Sequence, residues 1–344
     1  MGRDKKEGVE KMYVTPSGES VFVVDTHVHM WDARPENRRN EHGLSFIECF
    51  WGSHAALSPP ERKWSYEDFL HYGVDRTCRD LFDEGYCDHA LLLPTDLKEF
   101  YINGFNSVEQ LYELKKARPN QIILNGRIDP REGRLGLDNL EREHEFHKFK
   151  GVKMYTAEWL GASKGYSLKE NFVAPYMEKL MHLGIKNVHL HKGPTIHPLS
   201  LDAFDVRDVD HVATDFPELN FIVEHCGMPR IDDFSWIALQ EPNVYGGLAL
   251  IPSFIHRRPK YFAQMMSELL FFVGPHRLMF GSDYAIFDPN WVIERLWDFQ
   301  FDDDLAQEAG GQITNETKRK ILGLNAAKLY GLDVPETARL PNAA

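Results

Sequence analysis

The sequence predicts an α/β protein built as a single (β/α)8 barrel, and three observations carry that expectation. Short apolar runs rich in β-branched residues alternate with helical patterns from Val21 onward, as in a parallel sheet with crossover helices. Roughly eight such units follow one another without interruption, the number a closed barrel needs. No Gly-x-Gly-x-x-Gly follows any strand, which removes the usual mark of an open dinucleotide-binding sheet.

The elements can be justified in order. Val21 to Val24 reads as the first strand, and a long loop leads from it to a helix that opens at Ser65, with Asp68 in the capping-box position, and stops near Gly85. Asp88 to Pro94 is the second strand. Ser107 with Gln110 caps a helix to Arg118, and the Pro119-Asn120 turn feeds a third strand, Ile122 to Ile128. A charged helix, Leu137 to Lys148, precedes a fourth strand at Gly151 to Tyr155. Val173 to Leu183 is a helix closed by Gly184, and Asn187 to His191 is the fifth strand. Asp205 to Asp215 is helical. Leu219 to His225, Val244 to Ala249 and Arg277 to Phe280 complete the strands, separated by helices at Phe234 to Gln240 and Pro259 to Leu270. Pro289 to Phe299 and Glu316 to Leu332 are the last helices. The domain expected is therefore 21–334, with an extension over 1–20 and a frayed tail over 335–344.

Composition narrows the function. The 344 residues are 43% apolar and carry a net charge of −13, with no Lys/Arg run of the kind that binds a phosphate backbone or an anionic membrane. An acidic surface without a basic patch argues against nucleic acid and against an anionic membrane. The apolar runs are too short to span a bilayer, and the charged start lacks a signal core, so a cytoplasmic location is expected. Cys49, Cys78, Cys87 and Cys226 show no Cys-x-x-Cys spacing and read as reduced thiols.

The chemistry concentrates at strand ends. Asp25-Thr26-His27-Val28-His29 follows the first strand, and residues two apart in extended chain point the same way, so His27 and His29 can address one metal. His191 ends the fifth strand, His225 ends the sixth, and Asp283 follows the eighth. Active-site residues of this fold come from several strand C-termini, which makes these five groups a convergent set. His189, two residues before His191, reads as a buried, hydrogen-bonded core residue. Lys153, on the fourth strand, fits either a cation for a substrate carboxylate or a buried ion pair.

Taken together, several motifs resemble the amidohydrolase superfamily, in particular its aminocarboxymuconate-semialdehyde decarboxylase-like branch. They are Asp-Thr-His-Val-His at 25–29, Gly-Val-Lys at 151–153, His191-Lys192-Gly193, Phe216-Pro217-Glu218-Leu219 leading to His225-Cys226-Gly227, Gly281-Ser282-Asp283-Tyr284 and Ile321-Leu322-Gly323-Leu324-Asn325-Ala326-Ala327. The resemblance implies a TIM barrel of the metal-dependent hydrolase type. It implies that His27, His29, His191 and Asp283 bind one divalent metal and that His225 acts beside it as acid/base or electrostatic group, the family also tolerating His225 as a ligand, with Asp283 also able to manage a proton. In binuclear relatives a carbamylated lysine bridges two metals from the fourth strand; here a one-metal site is complete without Lys153. Imidazole and carboxylate donors suit Zn2+ first, with Mn2+ or Fe2+ as alternatives.

The expected function is hydrolysis of a C–N or C–O bond, or non-oxidative decarboxylation, of a small carboxylate substrate. Arg34 in the first loop, followed by the rigid Pro35, is expected to grip the carboxylate, with Trp31 and Trp51 as apolar walls and Lys153 as a further contact. A homo-oligomer is compatible with the sequence. Relatives found beside bacterial multicomponent monooxygenases suggest a different class of role, an accessory or maturation protein for another enzyme.

Overall fold

The computed structural model of the protein describes residues 12–340. Its parallel strands are β1 Val24–Val28, β2 His89–Leu92, β3 Ile122–Leu124 resumed at Gly126–Arg127, β4 Gly151–Met154, β5 Asn187–His191, β6 Asn220–Glu224, β7 Val244–Gly247 and β8 Leu278–Met279. Each pairs with the next in parallel register. The first half of β3 pairs with β2 and the second with β4, so the break at Asn125 does not open the sheet. Closure comes from the chain beyond β8. Thr26 donates from both N and Oγ1 to the Phe280 carbonyl, at 3.0 and 2.8 Å, and His29 N donates to the Tyr284 carbonyl at 2.6 Å. The barrel is thus closed, with helices packed between successive strands.

Three local expectations are corrected. The first barrel strand is not Val21 to Val24: Ser20–Val21 pairs antiparallel with Tyr13–Val14 in a short ribbon, and the barrel strand spans Val24–Val28. The polar residues expected to follow the first strand lie buried within it because their side chains are satisfied inside, Asp25 by Ser282 and Thr26 by Phe280. The first loop contains a 17-residue helix, Glu41–Leu57, whose N-cap Asn40 accepts from His42 N. The helix expected from Ser65 to Gly85 is broken into Tyr66–Phe69 and Val74–Cys78 with a π turn at Arg79–Asp83. Backbone between the pieces is used elsewhere, since Ala33 N donates to Leu70 O and Tyr72 N to Trp31 O.

The N-terminal end of the barrel is plugged. The C-terminal helix runs through Asn315–Arg319 and a π turn to Asn325–Tyr330, and stops at Gly331, whose φ of 65° is readily adopted only by glycine. Ala326, Ala327 and Tyr330 pack against Phe22, Val24, Leu91 and Met279. Ala338 is buried in the same cluster, so the tail does not fray from Pro335; residues 341–344, like 1–11 of the expected extension, lie outside the described residues. Among the described residues no helix is long and apolar enough to cross a membrane.

Candidate active site

At the opposite end of the barrel, strand ends and the Glu41–Leu57 helix enclose a cleft of about 710 Å³, counted with its open mouth. His27, His29, Lys153, His191, His225 and Asp283 all line it. The backbone that presents two of them is unusual: His225 and Asp283 have φ of 60° and 62°, a left-handed conformation that non-glycine residues hold only when their surroundings enforce it. Asp25 supplies part of that enforcement. Its carboxylate accepts from His27 N, Ser282 N and Ser282 Oγ, at 3.1, 3.0 and 2.5 Å, tying β1 to the turn that carries Asp283.

One donor atom each from His27, His29 and Asp283 lies within 4.8 Å of the others. His27 Nε2 and His29 Nε2 are 3.5 and 3.7 Å from Asp283 Oδ1. Neighbouring groups set the tautomers that point these nitrogens into the cleft. His27 Nδ1 lies 2.6 Å from Glu224 Oε2, and His29 Nδ1 lies 2.9 Å from the Leu93 carbonyl. The Glu224 oxygen only accepts, so His27 Nδ1 carries the proton and its Nε2 keeps its lone pair; His29 Nδ1 also lies 2.8 Å from Asn106 Nδ2, a donor that bonds the same Leu93 carbonyl, so His29 offers a free Nε2 in the tautomer whose Nδ1 donates to Leu93. Burial, followed by the neighbouring His27 and Lys153, holds His29 well below the usual imidazole range, which keeps it neutral.

His191 stands apart from that trio and pairs with His225, its Nδ1 being 3.2 Å from His225 Nε2. His225 Nδ1 donates to the Ala249 carbonyl at 3.0 Å, so its Nε2 accepts from His191 Nδ1. That arrangement leaves His191 Nε2 with a lone pair, and this buried atom has no partner. This nitrogen lines the same cleft as the His27, His29 and Asp283 trio, and imidazole and carboxylate groups are donors that could hold a divalent metal. Burial pulls the His225 ring down to about 4, with Asp283 opposing the shift, so the ring is neutral near pH 7. Gly193 makes room for it: a Cβ there would stand 2.7 Å from His225 Cδ2.

Lys153 is the one cation among the cleft-lining residues, 1% exposed, and its Nζ has no hydrogen-bond partner. Desolvation lowers it to about 8, against the attraction of Glu224 and Asp283. Phe46, Phe50, Phe105, Tyr155, Ile196 and Ile286 provide mostly apolar walls.

The other substrate residues expected from sequence are elsewhere. Arg34 is 43% exposed and forms a two-pronged ion pair with Asp32, its Nε and Nη2 lying 2.9 and 2.6 Å from the carboxylate oxygens. Trp31 is core, donating from Nε1 to the Phe69 carbonyl and stacking on Phe105. Trp51 packs on His54, Tyr66 and Phe69. None of the three lines the cleft. The loop folds as a helix, which turns Phe46 and Phe50 inward instead. Glu224 was not singled out from sequence, although a carboxylate ending the apolar run Phe221-Ile222-Val223 is the signal of a buried charge needing partners.

No curated protein matches the chain. Among solved structures it is similar to an uncharacterized TIM-barrel protein from Bordetella bronchiseptica, with 15% identity and a TM-score of 0.66 over 90% of this chain and 99% of that one. It is also similar to a zinc-bound amidohydrolase from Burkholderia multivorans, with 15% identity and a TM-score of 0.60 over 91% and 100% of the two chains. A 2,6-dihydroxybenzoate decarboxylase complexed with 2,6-dihydroxybenzoate gives 15% identity and a TM-score of 0.53 over 91% and 100%. These likenesses establish the TIM-barrel fold. The family model for amidohydrolases matches residues 24–332, and the chain therefore belongs to the amidohydrolase family.

Proposed function

We propose that the protein is a divalent-metal-dependent enzyme acting on a small, planar carboxylate, either by hydrolysis of a C–N or C–O bond or by non-oxidative decarboxylation. The observation that carries this reading is the convergence of His27 Nε2, His29 Nε2 and Asp283 beside the buried, unpartnered Nζ of Lys153. His27, His29 and Asp283, with His191 offering its free Nε2, would hold the metal, and Zn2+ fits these donors first. When bound, the metal supplies a Lewis acid that polarises a substrate oxygen and acidifies water.

The remaining work falls to the chain. Lys153 pairs with the substrate carboxylate, an interaction strengthened by the absence of a competing hydrogen bond at Nζ and by the apolar walls. Phe46, Phe50 and Phe105 offer faces for a flat ring and exclude water. His225 serves as acid/base: a proton reaching its Nε2 displaces the hydrogen bond from His191 Nδ1 and is then returned to the leaving group or to the carbon that loses carboxylate. Its Nδ1 bond to Ala249 keeps the ring aimed while it does so.

Metal analysis of the protein purified without added metal tests the reading, with about one transition metal per chain expected and none in the His27→Ala/His29→Ala variant. Full occupancy of that double variant would overturn the ligand set. A panel of aromatic and cyclic carboxylates, assayed for released CO2 and for hydrolysis, then separates the two reactions. Tight binding to another enzyme's subunit with no turnover on the panel would support the accessory role instead.

A further inference from the structure

We propose that the C-terminal helix positions the metal site from the far end of the barrel, through a buried line of hydrogen bonds running Tyr330–His189–Glu224–His27. This inference rests on the proposed metal site. Tyr330 belongs to the Asn325–Tyr330 helix that plugs the N-terminal end, whereas His27 opens into the cleft at the other end. The links are 2.5 Å from Tyr330 Oη to His189 Nε2, 2.5 Å from His189 Nδ1 to Glu224 Oε1, and 2.6 Å from Glu224 Oε2 to His27 Nδ1. His189 and Glu224 are fully buried, and no water is needed to complete the line.

With neutral imidazoles and an ionised Glu224, the donors and acceptors can be arranged in one way that satisfies every member. The Glu224 carboxylate accepts at both oxygens, so His27 and His189 each carry a proton on Nδ1. His189 Nε2 is then an acceptor, and the Tyr330 hydroxyl donates to it. Asn125 Nδ2, 3.4 Å away, donates to the same phenol oxygen and leaves its proton free for His189. Without the Tyr330 hydroxyl, His189 Nε2 would be a buried acceptor with no donor, and the ring would be held at its Glu224 end alone. The His189–Glu224 bond would lose its fixed geometry, and with it the carboxylate would lose part of the fixed orientation it imposes on His27. Tyr330, His189 and Glu224 are therefore positioning residues: the phenol holds the far side of the His189 ring, His189 holds the carboxylate, and the carboxylate sets the direction and basicity of His27 Nε2.

The space for Glu224 is prepared as well. A Cβ at Gly247 would lie 2.4 Å from Glu224 Oε2, so only glycine at the end of β7 admits the carboxylate in this pose. This accounts for Gly247, which would otherwise weaken a buried strand; at Gly246 a Cβ would instead meet Cys226 Sγ at 2.8 Å and Leu278 Cδ2 at 2.9 Å.

The test uses the full chain and measures the metal rather than turnover. Tyr330→Phe removes one oxygen and is expected to weaken Zn2+ binding by roughly 10-fold or more, measured by competition with a chelator, and to alter the visible spectrum of the Co2+-substituted protein. Ala327→Gly, on the same helix and in the same apolar cluster, should lower the melting temperature while leaving metal affinity and spectrum unchanged. If Tyr330→Phe behaves like Ala327→Gly, the phenol is only part of the plug and the proposal is overturned. Should the variant fail to fold, 15N-histidine NMR of the native protein decides: Nδ1–H tautomers for both His27 and His189 are expected, and an Nε2–H tautomer at His189 refutes the line. A native chain that takes up no metal sinks the site and this inference together, whereas unchanged affinity in Tyr330→Phe sinks this inference alone.

Discussion

Replacing Lys153 by methionine should make the metal-free protein more stable while impairing its chemistry. Methionine has a similar length and no charge, so the apolar contacts of the side chain persist. In the folded chain burial lowers the Lys153 ammonium from 10.5 to about 8. At pH 7 the folded state therefore holds a charged group in a site that disfavours charge, by roughly 3 kcal/mol at 1.36 kcal/mol per pKa unit. Because the folded pKa is the lower one, the cost is complete below pH 8, shrinks between pH 8 and 10.5, and vanishes above. An unfolding entropy of about 2.1 cal/mol/K per residue over 344 residues converts the gain into a rise of roughly 4–5 °C in Tm. Urea unfolding of chelator-treated protein at pH 7 and at pH 10.5 checks both the size and its disappearance. With a substrate in hand, KM should rise roughly 10- to 100-fold, the worth of one charge-assisted hydrogen bond. A variant less stable than the native protein at pH 7 would show that the ammonium has a strong partner in solution, and an unchanged KM would remove it from substrate binding.

Three further outcomes follow from the same geometry. His225→Ala should keep most of its metal yet lose ~10²-fold or more in rate, as for removal of a general acid/base; metal loss with activity restored by excess metal would make it a ligand. Gly247→Ala should drive the Glu224 carboxylate about 1 Å from its place, given ordinary contact distances, break its bond to His27, and weaken metal binding roughly 10- to 100-fold; chelator competition giving the native affinity would contradict this. Arg34→Lys should leave metal content and kinetics unchanged, since its guanidinium is engaged by Asp32 outside the cleft; a 10-fold loss of kcat/KM would restore it as a substrate contact.

The sequence by itself determined the architecture and the address of the site. The order of β-branched runs and helical patterns made the barrel legible, because burying strands on both faces requires nearly continuous apolar runs. His27, His29, His191, His225 and Asp283 were legible because polar groups at strand ends stand out against those runs, and this fold gathers its strand C-termini at one mouth. Where side chains within a segment point was decided only by tertiary structure. Arg34, Trp31 and Trp51 belong to a segment with no strand periodicity; its helix faces Phe46 and Phe50 into the cleft and leaves Arg34 to Asp32. The roles of Asp25, Glu224 and Tyr330 were hidden for a related reason, as were the partners of His189, whose burial and hydrogen bonding alone were legible. Their partners lie 35 to 257 residues away in the chain, and a buried hydrogen bond between such groups exists only once the barrel has closed and excluded the water that would otherwise satisfy each of them.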